Sequence, residues 1–128
     1  MKIERIDHVV FTVKNIAACC AFYSGILGMK VITFEKGRKA LTFGKQKINL
    51  HEVGNEFEPK AHHAASGTAD LCFITKSTIH EIAKHLEKHG VEIVAGPSIE
   101  TGALGKMESI YFRDPDSNLI EVATYEVD

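Results

Sequence analysis

The sequence predicts an α+β protein built from two copies of one β-α-β-β-β module. Its 128 residues are a length typical of one small domain. Its apolar content of 45% and charged content of 25% are those of a globular protein. Strand-like and helix-like segments also follow one another in the same order in the two halves. We therefore expect a single domain over residues 1–128, with modules at 3–53 and 68–126 and a linker at 54–67.

The first module begins with a strand, because β-branched and aromatic residues dominate residues 5–13. Asn15 can cap a helix over residues 15–27. Gly28 can end that helix in a left-handed conformation. Polar turns separate the apolar stretches that follow, and these predict strands at 29–34, 40–43 and 47–53.

The second module repeats this order. Thr78 and Glu81 form a capping-box pattern at the start of a helix over residues 78–89. The predicted strands are 68–75, 91–96, 108–113 and 119–125, with a glycine-bearing loop at 97–107. Since one module cannot bury its sheet alone, we expect two curved, half-open sheets with the helices outside and a pocket on the concave side.

Composition excludes several classes of function. The formal net charge is −2 and no basic stripe is present, so nucleic acid is not an expected partner. No apolar run reaches the length of a membrane span and the N-terminus lacks a signal-peptide core, so we expect a cytoplasmic protein with no membrane partner. The three cysteines form no C-x-x-C motif. We expect Cys72 to be a small core residue, and one of Cys19 and Cys20 to be packed with the other nearer the surface.

Strand alternation predicts which polar side chains face the concave side. In the last strand, Ile120 and Val122 share the helix-covered face, which leaves Glu121 on the other. In the fourth strand, Ile48 and Leu50 share the helix-covered face, which leaves Asn49 and His51 on the other. The predicted inward-facing polar residues are His8, Asn49, His51, Asp70 and Glu121, with Asp70 placed by its equivalence to His8 in the repeat.

Imidazole and carboxylate groups on one face are the ligands that a divalent metal needs, here Zn, Ni, Co, Fe or Mn. Each residue also has a structural explanation. A histidine can be a hydrogen-bonded core residue, Asp70 can brace a loop, Asn49 can satisfy a neighbouring strand, and Glu121 can pair with a lysine. Because burial without partners would cost several kcal/mol, convergence on one face favours a site. We predict metal ligation by His8, His51 and Glu121, with Asp70 and Asn49 as further site residues.

Three segments resemble the vicinal oxygen chelate superfamily, which includes glyoxalase I, bleomycin-resistance proteins, fosfomycin-resistance transferases, methylmalonyl-CoA epimerase and extradiol dioxygenases. The segments are IDHVVFTVKNIAACCAFYSGILGMKV, GTADLCFIT and SIYFRDPDSNLIEVATY. The resemblance extends over roughly residues 3–125. It is closest to lactoylglutathione-lyase-like virulence-associated proteins and to the glyoxalase-domain-containing protein 5 group.

The resemblance implies a metal ligand at His8 on the first strand and another at Glu121 on the last. Where glyoxalase I has a glutamate on the fourth strand, this chain has Asn49, with His51 two residues on. Where the family has a histidine at the start of the fifth strand, this chain has Asp70. The implied activity is that of a metal-dependent, glyoxalase-like lyase or isomerase. It would act on a small substrate with vicinal oxygens, with Glu121 as ligand and proton-transfer base.

The resemblance also implies a homodimer and glutathione as a possible co-substrate. The alternative function is a non-catalytic drug- or metabolite-binding protein of the same fold. An extradiol dioxygenase or a thiol transferase is less favoured, because Asp70 replaces the second histidine that both activities use.

Overall fold

The computed structural model describes residues 1–127 and divides into two units, Met1–Thr68 and a second that begins at Ala69. Each unit contains one α-helix and one four-stranded sheet. The predicted fold class is confirmed, since the order β-α-β-β-β occurs twice. In residues 1–127, neither helix has the length and apolar character that crossing a membrane requires.

Unit 1 contains four strands and one helix, in the order β1 (His8–Val13), α1 (Ile16–Gly25), β2 (Lys30–Phe34), β3 (Arg38–Phe43) and β4 (Gln46–Glu52). A short 3-10 turn at Glu35–Gly37 separates β2 from β3. The strands lie in the order β1-β4-β3-β2. The pairing of β1 with β4 is parallel and the other two pairings are antiparallel.

Helix α1 begins and ends through the local signals in its sequence. The Asn15 side chain accepts a hydrogen bond of 2.8 Å from the backbone N–H of Ala18, as an N-cap residue does. The helix ends at Gly25, and Gly28 follows with φ +68°, the left-handed conformation expected there. Cys19 is buried and Cys20 is only partly covered, which confirms the prediction for this pair.

The two faces of the unit 1 sheet differ in chemistry. On the face beneath α1, buried apolar side chains form the core; they are Phe11, Val13, Leu41, Ile48 and Leu50. On the other face, which we call the polar face, Thr12 pairs with His51 and Val10 with Asn49. Both His51 and Asn49 are buried, so this face is covered even though it is polar.

Unit 2 contains β5 (Asp70–Ile74), α2 (Ile79–Lys88), β6 (Ile93–Gly102), β7 (Gly105–Arg113) and β8 (Leu119–Thr124). The strands lie in the order β5-β8-β7-β6, and β5 runs parallel to β8. The Thr78 side chain caps α2 by accepting a hydrogen bond of 3.2 Å from the N–H of Glu81, as predicted. Ile82 and Leu86 of this helix are buried.

The predicted loop at 97–107 is wrong, because these residues belong to a hairpin of β6 and β7. The pairing between these strands shifts register twice, between Ile93 and Ala95 and between Ala95 and Ser98. Such irregularities interrupt the alternation by which a strand is recognised in sequence. Gly96, with φ +90°, and Pro97 lie at this point and have the composition of a loop.

The turn between β7 and β8 is held by the carboxylate of Asp114. Its Oδ1 accepts hydrogen bonds of 2.9 Å from the backbone N–H groups of Asp116 and Asn118. Its Oδ2 accepts one of 2.8 Å from the Asn118 side chain. The Asn118 Oδ1 atom in turn accepts a hydrogen bond of 2.9 Å from the N–H of Ala69. The D-P-D-S-N motif therefore fixes both its own turn and the start of β5.

Candidate functional site

A row of side chains crosses the polar face of unit 1. Thr12 pairs with His51 across β1 and β4, and Phe34 pairs with Arg38 across β2 and β3. The Nη2 atom of Arg38 lies 3.5 Å from Nε2 of His51, which joins the two pairs. Burial lowers the pKa of His51 below its usual range, and the positive charge of Arg38 adds to this effect. The His51 ring is therefore neutral at pH 7.

The segment 54–68 lies against this row. The Phe57 ring meets the His51 ring edge-on at 5.6 Å between centroids, and the Arg38 guanidinium lies 4.4 Å from the Phe57 centroid. Glu56 stabilises the segment, because it accepts hydrogen bonds of 2.7 Å from the N–H of Gly54 and 3.2 Å from Lys60. Residues 54–67, predicted as a linker, thus form part of the covering of the polar face.

A pocket of about 540 Å³ lies between strand β1 and this segment. Its walls include apolar atoms of Val9 and Val10 from the strand, and from the segment they include Pro59, Lys60, Ala61, His63, Ala64, Ala65 and Thr68. His51 and Thr12 also line it. This volume is in the range of pockets that bind small molecules, and a largely apolar wall with a few polar groups is typical of them.

Three buried polar atoms on the polar face have no hydrogen-bond partner among residues 1–127. They are Nδ1 of His51, Nε of Arg38 and Oδ1 of Asn49. Most buried polar atoms in proteins are paired, since an unpaired one costs about 1–3 kcal/mol. Three such atoms lie on one sheet face, which makes this face a candidate binding surface.

His8 lies on the same polar face but is exposed. Its Nδ1 atom donates a hydrogen bond of 2.8 Å to Oδ1 of Asp7, and this bond holds the pKa of the Asp7 carboxyl below its usual range. The bond leaves Nε2 as the nitrogen for a ligand. His8 pairs with Lys47, whereas His51 pairs with Thr12, four positions further along β1. At about 3.3 Å per residue the two imidazoles are separated by roughly 13 Å along the strand, so the structure does not bring them together.

In unit 2, Glu121 lies between two chemically active side chains. It pairs with Cys72 on β5 and with Tyr111 on β7. Burial, and then the negative charge of Glu121, raises the pKa of Tyr111 to about 12. Limited desolvation and the same charge raise the pKa of the Cys72 thiol to about 11. The Oε2 atom of Glu121 is buried and has no hydrogen-bond partner in the part of the chain that the structure describes.

The prediction that Cys72 is a core residue is wrong, because its side chain is exposed. It shares the Glu121 face of β5 and not the face beneath α2. Asp70 is two residues before Cys72 on the same face, so it is a diagonal neighbour of Glu121, and it is also exposed. Asn49 lies one row from His51 in unit 1. The five predicted residues are thus divided between two units: His8, Asn49 and His51 in the first, Asp70 and Glu121 in the second.

Within either unit, residues 1–127 contain no cluster of three His, Cys, Asp or Glu side chains that could hold a metal ion. Two donor atoms nevertheless suit a metal, one in each unit. The Nε2 atom of His8 belongs to a ring whose other nitrogen is bound to a carboxylate, as is usual for metal-ligating histidines. The Oε2 atom of Glu121 is a buried carboxylate oxygen without a partner among the described residues.

The sequence interpretation missed Arg38 and Phe57 in unit 1 and Tyr111 in unit 2. Arg38 was assigned to a turn, because β3 was predicted to begin at residue 40 and not at Arg38. Extending the alternation of β3 by two residues would have placed Arg38 on the polar face. No local signal indicates that Phe57 packs against that face, since its segment has no periodic pattern.

Comparisons with known proteins agree with this architecture. The chain is 51% identical over 125 residues to virulence protein STM3117 of Salmonella typhimurium, covering 98% of this chain and 87% of that protein. It is 30% identical over 130 residues to the metallothiol transferase FosB of Shouchella clausii, covering 95% of this chain and 81% of that protein.

Two solved structures show the same fold. The integron cassette protein VCH_CASS1 from the mobile metagenome of V. cholerae is 56% identical, with a TM-score of 0.96 and 98% of both chains covered. Lactoylglutathione lyase from Agrobacterium tumefaciens is 20% identical, with a TM-score of 0.74 and coverage of 98% and 96%, and is similar in fold alone. A family model, Glyoxalase/Bleomycin resistance protein/Dioxygenase superfamily, matches residues 5–122. The chain belongs to this superfamily.

Proposed function

We propose that this chain is a metal-dependent, glyoxalase-like lyase or isomerase that moves a proton on a small substrate with adjacent oxygen atoms. The observation that carries the proposal is the state of Glu121, whose Oε2 atom is buried and unpaired among the described residues. Tyr111 and Cys72 are hydrogen-bonding neighbours of this carboxylate, yet its Oε2 atom has no partner in hydrogen-bond geometry among the described residues, which favours a role in binding a cation or a proton. The 30% identity to a metallothiol transferase supports the metal dependence of the proposed activity.

Glu121 would act as the base in this reaction. Its carboxylate takes the proton from one carbon of the substrate and returns it to the neighbouring carbon, so no proton is gained or lost overall. Tyr111 stays protonated throughout the neutral range, because its pKa is about 12. Its hydroxyl can therefore donate a hydrogen bond to a substrate oxygen on which negative charge develops.

In unit 1, His8 is the residue that would hold a metal ion, and in unit 2 it is Glu121; the ion is one of Zn, Ni, Co, Fe or Mn. When bound, the metal would polarise the substrate oxygens and stabilise negative charge on them. Asp7 fixes the orientation of the His8 ring for this purpose. Asp70 is a further candidate ligand through its diagonal position to Glu121. The strand register of unit 1 separates His51 from His8. We therefore assign His51 to the binding of the small molecule and not to metal ligation beside His8.

A second candidate function is binding of a drug or metabolite without catalysis. It is favoured by the pocket of about 540 Å³ in unit 1, which is lined by His51 and does not involve Glu121. The metal content of the protein separates the two candidates, because only the enzyme requires a metal.

The proposed activity is tested by an assay panel after reconstitution with each of the five metals. The substrates are methylglyoxal with glutathione, fosfomycin with thiols, and catechols. We expect stoichiometric metal uptake and metal-dependent turnover of the glutathione adduct of methylglyoxal or a similar oxygenated compound. A protein that takes up no metal and turns over none of the substrates would contradict the enzyme and leave the binding function in its place.

We also propose that two copies of the chain form a homodimer, since similar proteins of this superfamily pair in this way. Sedimentation velocity at micromolar concentration should give a mass twice the 14.1 kDa of one chain. A single species at the monomer mass would contradict the dimer.

A further inference from the structure

We infer that the pocket of unit 1 binds a small organic carboxylate with an apolar body, through His51 and the charge of Arg38. This inference deepens the proposed function by naming the charge of the small molecule. Whether the bound molecule is also converted to a product rests on the proposed function, whereas its binding does not. It requires neither a bound metal nor Glu121.

The first argument is the uncompensated charge of Arg38. Its guanidinium lies 5.0 Å from the Phe34 ring centroid and 4.4 Å from that of Phe57, in cation–π contact with both. No carboxylate among residues 1–127 forms an ion pair with it. The acidic residues of the adjacent segment, Glu56 and Glu58, lie instead against Lys60, at 3.2 and 3.8 Å. A half-buried cation without an ion pair favours an anion nearby. Arg38 does not itself line the pocket, so its charge acts on a ligand there from behind His51.

The second argument is the protonation of His51. Arginine can only donate hydrogen bonds, so the Nε2 atom of His51 accepts from Arg38. A neutral ring then carries its single proton on Nδ1. That N–H lacks an acceptor among the described residues, although the side chain is only 3% exposed. His51 lines the pocket, so an oxygen of a ligand within the pocket can supply the acceptor.

The third argument is the chemistry of the pocket walls, which selects among anions. Val9, Val10 and Ala64 are among the apolar lining residues, so the body of the ligand is expected to be apolar. Lys60 and His63 also line the pocket, and Lys60 is already paired with Glu56 and Glu58. Arg38 is the cation beside the pocket that forms no ion pair among the described residues, and it matches one negative charge. Carboxylate is the common organic group that combines a single charge with an acceptor oxygen, whereas a phosphate group carries more charge at neutral pH.

The test is isothermal titration calorimetry on the full chain, freed of metal by a chelator, with benzoate as the probe. Benzamide is the neutral probe of the same shape, and inorganic phosphate is the second anion. We expect benzoate to bind and benzamide to bind at least about ten-fold more weakly, since a hydrogen bond to a charged acceptor is roughly twice as strong as one to a neutral acceptor. Equal affinity for benzoate and benzamide, or tighter binding of phosphate, would overturn the inference.

The variant R38Q should weaken benzoate binding by about three- to ten-fold, because it removes the positive charge behind His51 and the donor that keeps Nε2 of His51 an acceptor. The matched control is K45Q, which removes one positive charge from an exposed residue of the turn between β3 and β4. The control should bind benzoate as the wild type does, and an equal loss in both variants would overturn the role of Arg38. If R38Q does not fold, as judged by circular dichroism, H51F replaces it. That variant keeps an aromatic ring against Phe57 but removes the donor, and unchanged benzoate binding by it would overturn the inference.

The two proposals fail separately. A protein that binds benzoate but turns over none of the panel of substrates would contradict only the enzyme. If the protein turns over a substrate but binds benzoate and benzamide equally, and if R38Q binds benzoate as tightly as the wild type does, only the carboxylate pocket is contradicted.

Discussion

Replacing Glu121 with glutamine should abolish the isomerase activity while leaving the fold intact. Glutamine has nearly the same shape but cannot accept a proton, and a general base typically contributes about 10²- to 10⁴-fold to the rate. We therefore expect kcat of the metal-reconstituted E121Q variant to fall by about that factor. Metal content should fall as well, because a neutral amide oxygen is a weaker ligand than a carboxylate. Kinetics, metal analysis and a thermal melt check these three expectations.

The matched control is E92Q, because Glu92 is an exposed carboxylate of the same unit that immediately precedes β6. This variant makes the same chemical change away from the Cys72–Tyr111 pair. It should keep the activity and metal content of the wild type. Full activity in E121Q, or an equal loss in E92Q, would refute the role of Glu121 as the base.

Replacing Asp114 with alanine should cause a large loss in the free energy of unfolding. The change removes three hydrogen bonds and leaves the N–H groups of Asp116 and Asn118 without their acceptor. Each unsatisfied buried donor costs about 1–3 kcal/mol, so we expect a loss of roughly 3–5 kcal/mol in the free energy of unfolding. This is a large part of the stability of a small domain. Urea denaturation followed by circular dichroism measures it.

The control lies in the same turn. Ser117 has φ +64°, a left-handed conformation that glycine adopts without strain, and it donates and accepts there through its backbone. The S117G variant should therefore unfold within about 0.5 kcal/mol of the wild type, or be slightly more stable. A loss in S117G equal to that in D114A would show that the turn tolerates no change, and that the Asp114 carboxylate has no special role.

Local signals explain why so much of the fold could be predicted from the sequence. Asn15 and Thr78 cap the two helices as expected, since an N-cap depends only on neighbouring backbone groups. The hairpin of β6 and β7 was missed because its pairing is irregular, so no regular alternation survives in the sequence. Where the geometry of strand pairing decides the structure, the strand preferences of single residues are not sufficient to predict a strand.

Only those parts of the site that depend on the alternation of side chains along a strand could be predicted from the sequence. Alternation placed Asn49 and His51 together on the face opposite the helix. It could not give the offset between β1 and β4, which separates His8 from His51, because parallel register depends on tertiary contacts. Cys72 was misplaced since its apolar neighbours resemble a fully buried strand, a pattern that alternation does not resolve.

Each unit closes by pairing its first strand with its last, β1 with β4 and β5 with β8. In unit 2, the hydrogen bond that ties the start of β5 to Asn118 joins residues 49 positions apart. The antiparallel strands between them connect neighbours in sequence and can form early, whereas the parallel pairing must first overcome the entropy of closing a long loop. We therefore expect the docking of the first strand to limit the rate of folding of each unit, and we expect Asn118 to act at that step in unit 2.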